Sequence, residues 1–178
     1  MGQKYSDHIA GLQPHSGDAP THGAVDLQGA DRLVGLGFRH WLAGYRSGDV
    51  TCWEYAWDLY ASALGPRQAR GVVNELSAWV RAVSASTRRD ICVCPTNCAK
   101  FCRDECLAVS MVAASQHKTC PAMRACAFAL IESAMIEEVV CQSESFALTL
   151  KSVDQVLSPS AIVGVALSEM PSVSEYPQ

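Results

Sequence analysis

Five of the nine cysteines fall within a short segment, at Cys92, Cys94, Cys98, Cys102 and Cys106. The last four recur at every fourth position, and residues four apart on an α-helix lie on one face, one turn apart. A helix through this segment would carry a stripe of thiols from Cys98 to Cys106, with Cys92 and Cys94 in the loop before it. Thiolates bind soft metal ions, so the sequence predicts a metal site at these five cysteines.

Three kinds of metal cofactor fit such a cluster. Zinc is commonly held by four ligands in a tetrahedron, which Cys92, Cys94, Cys98 and Cys102 could supply if the loop folds back onto the helix. An iron-sulfur cluster is held by cysteine thiolates at variable spacings. Copper(I) also selects thiolates and accepts low coordination numbers. The spacing matches no well-known signature, so zinc, an iron-sulfur cluster and copper(I) all stay open.

The repeated four-residue steps carry one resemblance to a known family. The segment from residue 98 to residue 126 resembles the cysteine-lined helix bundles of copper-storage proteins. The resemblance implies binding of copper(I) by thiolates inside a bundle. Those proteins line several helices with cysteine, whereas the first three helices predicted here contain only Cys52. The resemblance therefore does not imply storage of many ions.

Two interpretations without a metal compete with this one. Free cysteine is among the most buried residue types, so the cysteines could be packing residues of a helical interaction module that binds a protein partner or forms a homodimer. Alternatively, the protein is a thiol redox sensor. Its disulfides would join two helices, for instance Cys102 or Cys106 to Cys126, because cysteines four apart on one helix pair poorly.

The amino-acid composition limits the classes to which this protein can belong. The 178 residues are enough for one domain with a substantial core, and 49% hydrophobic with 18% charged residues is typical of a folded chain. A net charge of −4 provides no positive field for phosphates, so nucleic-acid binding is not expected. We find no apolar run approaching the roughly 18 residues of a membrane span, and no secretion signal in the first 25 residues. These features predict a cytoplasmic protein, not associated with membranes, with reduced thiols.

Apolar residues recur at intervals of three and four, which predicts an all-α bundle of five to six helices. The bundle domain is expected over residues 28–168, between flexible tails at 1–27 and 169–178. Helices are predicted at about 31–47, 52–64, 66–84, 95–115, 121–141 and 143–157. The predicted core includes four residues at helical spacing, namely Trp53, Trp57, Leu76 and Trp79.

Signals for catalysis are weak. The sequence contains no nucleophile elbow, glycine-rich phosphate loop or zinc-protease motif. Arg103, Asp104 and Glu105 form a charged strip beside the thiols. The sequence therefore favours a sensor, carrier or regulatory subunit over an enzyme.

Overall fold

The structure is a computed structural model that describes residues 25–162. In this range the chain forms six α-helices and a single helical turn over residues 160–162, which confirms the predicted all-α bundle and brings the number of helical segments to seven. The helices are α1 (Gly29–Ser47), α2 (Val50–Leu64), α3 (Pro66–Ser86), α4 (Arg103–Gln116), α5 (Cys120–Ile131) and α6 (Glu137–Ser152). Residues 1–24 of the predicted N-terminal tail and everything after residue 162, including the predicted C-terminal tail, lie outside the described residues.

Local sequence signals set the ends of the first three helices. The carboxylate of Asp49 accepts a hydrogen bond from the Thr51 amide at 3.0 Å, so Asp49 is the N-cap of α2 and the helix begins at Val50, two residues before the predicted start. Gly48 ends α1 in the left-handed conformation, with φ of 71°. Pro66 occupies the first position of α3, as predicted.

Helix α4 forms the centre of the bundle. It packs against α1, α5 and α6, and all but two of its fourteen residues are buried. On one side of the core, Trp79 of α3 lies between Phe38 and Phe146, with ring centroids 5.3 Å and 5.4 Å away. Leu76 and Trp79 are fully buried as predicted, but Trp57 is 37% exposed, so its assignment to the core is wrong.

The fourth predicted helix starts too early. Residues 87–102 form an irregular segment, called the cysteine loop below, and α4 begins only at Arg103. A turn closed by a bond from the Cys98 amide to the Pro95 carbonyl at 2.9 Å is not continued as a helix. The carbonyls of Cys98 and Lys100 accept hydrogen bonds from Arg39 of α1 instead. Tertiary contacts therefore override the helical pattern of this segment.

The predicted boundary between the fifth and sixth helices, near residue 142, is wrong, because α6 runs through it and the break lies at residues 132–136. Helix α5 ends at Ile131, Glu132 adopts a left-handed φ of 48°, and α6 begins at Glu137. The Ile131 carbonyl accepts a hydrogen bond from the Arg88 amide at 3.0 Å. The cysteine loop thus caps the end of α5, which the sequence pattern of α5 alone does not reveal.

The described residues also bear on membrane association. None of the helices between residues 25 and 162 combines the length and the apolar character needed to cross a bilayer.

Candidate metal site

The five candidate cysteines do not lie along one helix. Cys92, Cys94 and Cys98 belong to the cysteine loop, Cys102 is the N-cap of α4, and Cys106 is in the helix itself. The expected stripe of thiols from Cys98 to Cys106 on a helix face is therefore wrong. All nine cysteines of the chain lie within the described residues and are free thiols.

The cysteine loop nevertheless brings thiols together. The Sγ atoms of Cys94 and Cys102 and a carboxylate oxygen of Glu105 lie within 4.8 Å of one another. Cys98 is near enough to Cys94 to interact with it electrostatically, and Cys102 interacts in the same way with Cys106. Cys92 is exposed at the loop surface, where its carbonyl accepts a hydrogen bond from the Cys102 thiol at 3.2 Å. Cys94 and Cys102 are thus the centre of the group, and Cys98 is a neighbour of Cys94 in the loop.

A buried ion pair between α1 and α4 forms the base of the site. Arg39 and Glu105 are both 0% exposed, and they meet in a two-pronged contact with N–O distances of 2.6 Å and 3.1 Å. The same guanidinium donates to the carbonyls of Cys98 at 2.6 Å and Lys100 at 2.7 Å. Arg39 therefore holds the backbone of the loop at Cys98 and Lys100.

The carboxylates of α4 fix the other side of the loop. Glu105 accepts the amides of Cys94 at 3.2 Å and Cys102 at 2.8 Å. Asp104 accepts the Cys92 amide at 2.7 Å and forms a two-pronged ion pair with Arg89, both contacts at 2.7 Å. Three cysteine amides are thus bound by the first turn of α4, where negative charge is also favoured by the helix dipole.

Glu105 is a poor candidate for a metal ligand despite its proximity to the thiols. Its two oxygens accept four hydrogen bonds, two from Arg39 and two from the amides of Cys94 and Cys102. A metal ion would have to displace these bonds and leave the Arg39 cation buried without its partner, which is costly. Glu105 is better explained as the group that positions the cysteine backbone.

The thiols of Cys94, Cys102 and Cys106 lose their protons less readily than an ordinary cysteine does. Burial, with a smaller contribution from the Glu105 carboxylate, raises the pKa of Cys94 from 9.0 to about 11. Burial also raises the pKa of Cys102 to about 12 and that of Cys106 to about 11. Thiols with such raised pKa values react slowly as free nucleophiles, whereas a bound cation favours their deprotonation.

Phe101 anchors the end of the loop. Its backbone pairs with Val25 through two hydrogen bonds of 3.1 Å and 3.2 Å, and its ring lies 4.7 Å from the Arg39 guanidinium. The ring rests on Gly35 of α1, where an added Cβ would be only 2.6 Å from Phe101 Cε1. Helix α1 therefore approaches the loop closely because residue 35 has no side chain.

Two residues that organise the site were not predicted from the sequence. The sequence places Glu105 only in a charged strip and indicates no role for Arg39. The available signal is that Arg39, alone of the three arginines of α1, follows Phe38 and lies three residues before Leu42, on the apolar side of the helix. Such an arginine requires a buried partner, but the sequence does not say which acid supplies it.

Comparison with known proteins adds no family assignment. No protein-family model, curated protein sequence or solved structure matches this chain.

Proposed function

We propose that the cysteine loop binds one soft metal ion through the thiolates of Cys94, Cys98 and Cys102, with Cys92 or Cys106 completing the coordination. The observation that carries the proposal is the approach of the Cys94 and Cys102 sulfurs to within 4.8 Å. Sulfurs bound to one zinc ion at about 2.3 Å in a tetrahedron are about 3.8 Å apart, so a small adjustment of these two side chains would bring their sulfurs to that distance.

The surroundings of the thiols support a binding role. The backbone of Cys92, Cys94 and Cys102 is fixed by carboxylates of α4, and that of Cys98 by Arg39, so the ligand backbone is positioned before the ion arrives. Metal sites gain affinity when neighbouring hydrogen bonds orient their ligands.

Zinc and copper(I) suit this arrangement best, because both bind a few thiolates around one ion. An iron-sulfur cluster would require four thiolates around a larger group. We propose that the protein acts in the cytoplasm as a metal sensor, carrier or regulatory subunit. Glu105, the carboxylate nearest the thiols, is fully engaged in hydrogen bonds, which favours binding over acid-base chemistry.

The test is the metal content of protein purified without oxygen. We expect about one zinc or copper ion per chain, as a single thiolate site requires. Replacing both Cys94 and Cys102 by serine should abolish metal binding. The matched control replaces Cys120 and Cys141, two exposed thiols outside the loop, and should retain the metal. A parent protein without metal, or a loop variant with unchanged metal content, would contradict the proposal.

A thiol redox sensor is the second candidate, favoured by the same short distance between Cys94 and Cys102. Treatment of the metal-free protein with oxidised glutathione would join the two sulfurs, with two reduced glutathione molecules as the other product. Mass spectrometry would detect the loss of two hydrogens, and peptide mapping would locate the bond. A Cys94 to Cys102 disulfide in a protein that binds no metal would favour this candidate over the first.

A further inference from the structure

A groove formed by α1, α2 and α3 has no role in the candidate metal site. It lies between α1, α2 and α3, has a volume of about 610 Å³, and is lined by Trp41, Trp57, Arg67, Arg70, Gly71 and Asn74 among others. We call it the Trp-Arg groove. Its volume is within the range of small-molecule sites, roughly 300 to 1,000 Å³.

Gly71 forms part of the groove floor, and no packing contact explains it. Three glycines inside α1 have a reason in the fold, since an added Cβ would meet Phe101 at Gly35, Tyr60 at Gly37 and Trp53 at Gly44. A Cβ added at Gly71 meets no atom within 4 Å. Glycine inside a helix destabilises it relative to alanine, and at Gly71 no packing contact offsets this cost. A side chain at this position would occupy part of the groove.

Arg67 and Arg70 provide unbalanced positive charge at the groove. In the part of the chain that the structure describes, neither side chain has an ion-pair or hydrogen-bond partner, and Glu54 and Asp58 of the neighbouring α2 pair with neither. Like charges three residues apart on a helix repel each other, and Arg67 lies in the first turn, where the helix dipole disfavours a cation. An anion bound between the two arginines would relieve both effects.

The tryptophans provide flat apolar surface opposite the arginines. Trp57 is 37% exposed although it is one of the largest apolar residues. Trp41 is held in place from behind by Trp53, at a centroid distance of 6.1 Å, and Trp53 in turn packs on Gly44. Aromatic side chains at a groove favour ligands with a planar ring, which stacks on them with little loss of conformational entropy.

We propose that the Trp-Arg groove binds a small ligand in which a phosphate monoester is joined to a planar aromatic ring, the chemistry of a nucleoside monophosphate. Two arginines match a phosphate monoester because it carries nearly two negative charges at neutral pH. The ring would stack on the tryptophans, and the absent side chain at Gly71 would let the ligand lie against α3. This site is independent of the cysteine loop and of any metal.

The test uses adenosine monophosphate as the probe, with binding to the full chain followed by tryptophan fluorescence and by ligand-detected NMR. We expect binding of adenosine monophosphate, and weaker binding of adenosine and of inorganic phosphate. Replacing both Arg67 and Arg70 by glutamine should weaken the binding of adenosine monophosphate about tenfold to a hundredfold. This is the effect expected from losing hydrogen bonds to charged groups. Arg81→Gln, on an exposed part of α3 outside the groove, is the control.

Gly71→Leu tests the groove itself without unfolding the protein. Leucine is a better helix former than glycine, and its side chain enters open space, so the variant should be at least as stable as the parent while binding is lost. Gln68→Leu adds the same side chain to the exposed surface of α3 and should bind normally. The proposal is overturned if adenosine monophosphate does not bind at millimolar concentration, binds Gly71→Leu as well as the parent, or binds no better than adenosine.

Discussion

At the scale of single residues, Glu105 and Arg39 determine the geometry around the candidate metal site. Each is 0% exposed, and together they bind the backbone of four loop residues, Cys94, Cys98, Lys100 and Cys102. Neither charge can be removed without leaving the other in the interior, where a lone ion is strongly disfavoured. The pair therefore links the stability of the protein to the shape of the cysteine loop.

Glu105→Gln should lower the free energy of unfolding by about 3 to 5 kcal/mol, because Arg39 loses its counter-charge while it remains buried. Urea unfolding followed by circular dichroism would measure this. Glu137→Gln removes the same charge from an exposed pair with Arg124 and should change the stability little. Equal effects of the two substitutions would show that Arg39 reaches water and is not the buried partner described above.

Cys126 in α5 should make the protein sensitive to alkaline pH. Burial raises its pKa from 9.0 to about 11, so the folded protein holds this proton more tightly than the unfolded chain does. The resulting stability is fully present below about pH 9 and is lost as the pH rises towards 11, a decrease of about 2 to 3 kcal/mol. In reduced, metal-free protein, Cys126→Ala should flatten the fall in unfolding free energy between pH 9 and 11. An unchanged slope would refute the assignment to Cys126.

At the scale of elements, the helices of this protein approach one another closely where α1 carries glycine. Gly35 admits the ring of Phe101 at the end of the cysteine loop, Gly37 admits Tyr60, and Gly44 admits Trp53. These contacts set the distance of α1 from α2 and from the loop. Gly71 in α3 differs because it faces open space.

Gly35→Ala and Gly71→Ala should therefore have opposite effects on stability. The methyl group at residue 35 would lie 2.6 Å from a buried phenylalanine ring, and we expect a loss of about 1 to 3 kcal/mol. The same change at residue 71 should stabilise the protein by about 0.5 to 1 kcal/mol, because only the helix propensity changes. Thermal unfolding of the two variants beside the parent measures both. A stabilising Gly35→Ala would mean that Phe101 does not pack on α1 as described.

At the scale of the whole molecule, burial is distributed unevenly across the bundle. Helix α4 is enclosed by α1, α5 and α6, and its first turn binds the cysteine loop. Helix α2 packs on α1 and α3 and buries only Ala56 and Tyr60. The candidate metal site thus adjoins the best-protected helix, whereas the Trp-Arg groove borders the least buried one.

The rates of amide hydrogen exchange should follow this difference in burial between α4 and α2. Amides of α4 should exchange most slowly, by near-global unfolding, and those of α2 fastest among the helices, by local opening. Mass spectrometry of peptic peptides covering residues 103–116 and 50–64 makes the comparison. If the two segments exchange at the same rate, the bundle opens as one unit and α2 is not a separate layer.

The sequence by itself determined the helical class of the protein and most of its helix boundaries, because apolar spacing, proline and glycine act locally. It also identified the segment in which thiols meet, since five cysteines lie so near one another that almost any compact path brings some of them together. Only the tertiary structure decided which ones. Arg39, distant in sequence, binds the carbonyls of Cys98 and Lys100, and Glu105 binds the amides of Cys94 and Cys102, so the expected helix becomes a loop. A buried ion pair outweighs local helix propensity because an unpaired charge in the core costs several kcal/mol, whereas one residue's propensity is worth less than about 1 kcal/mol.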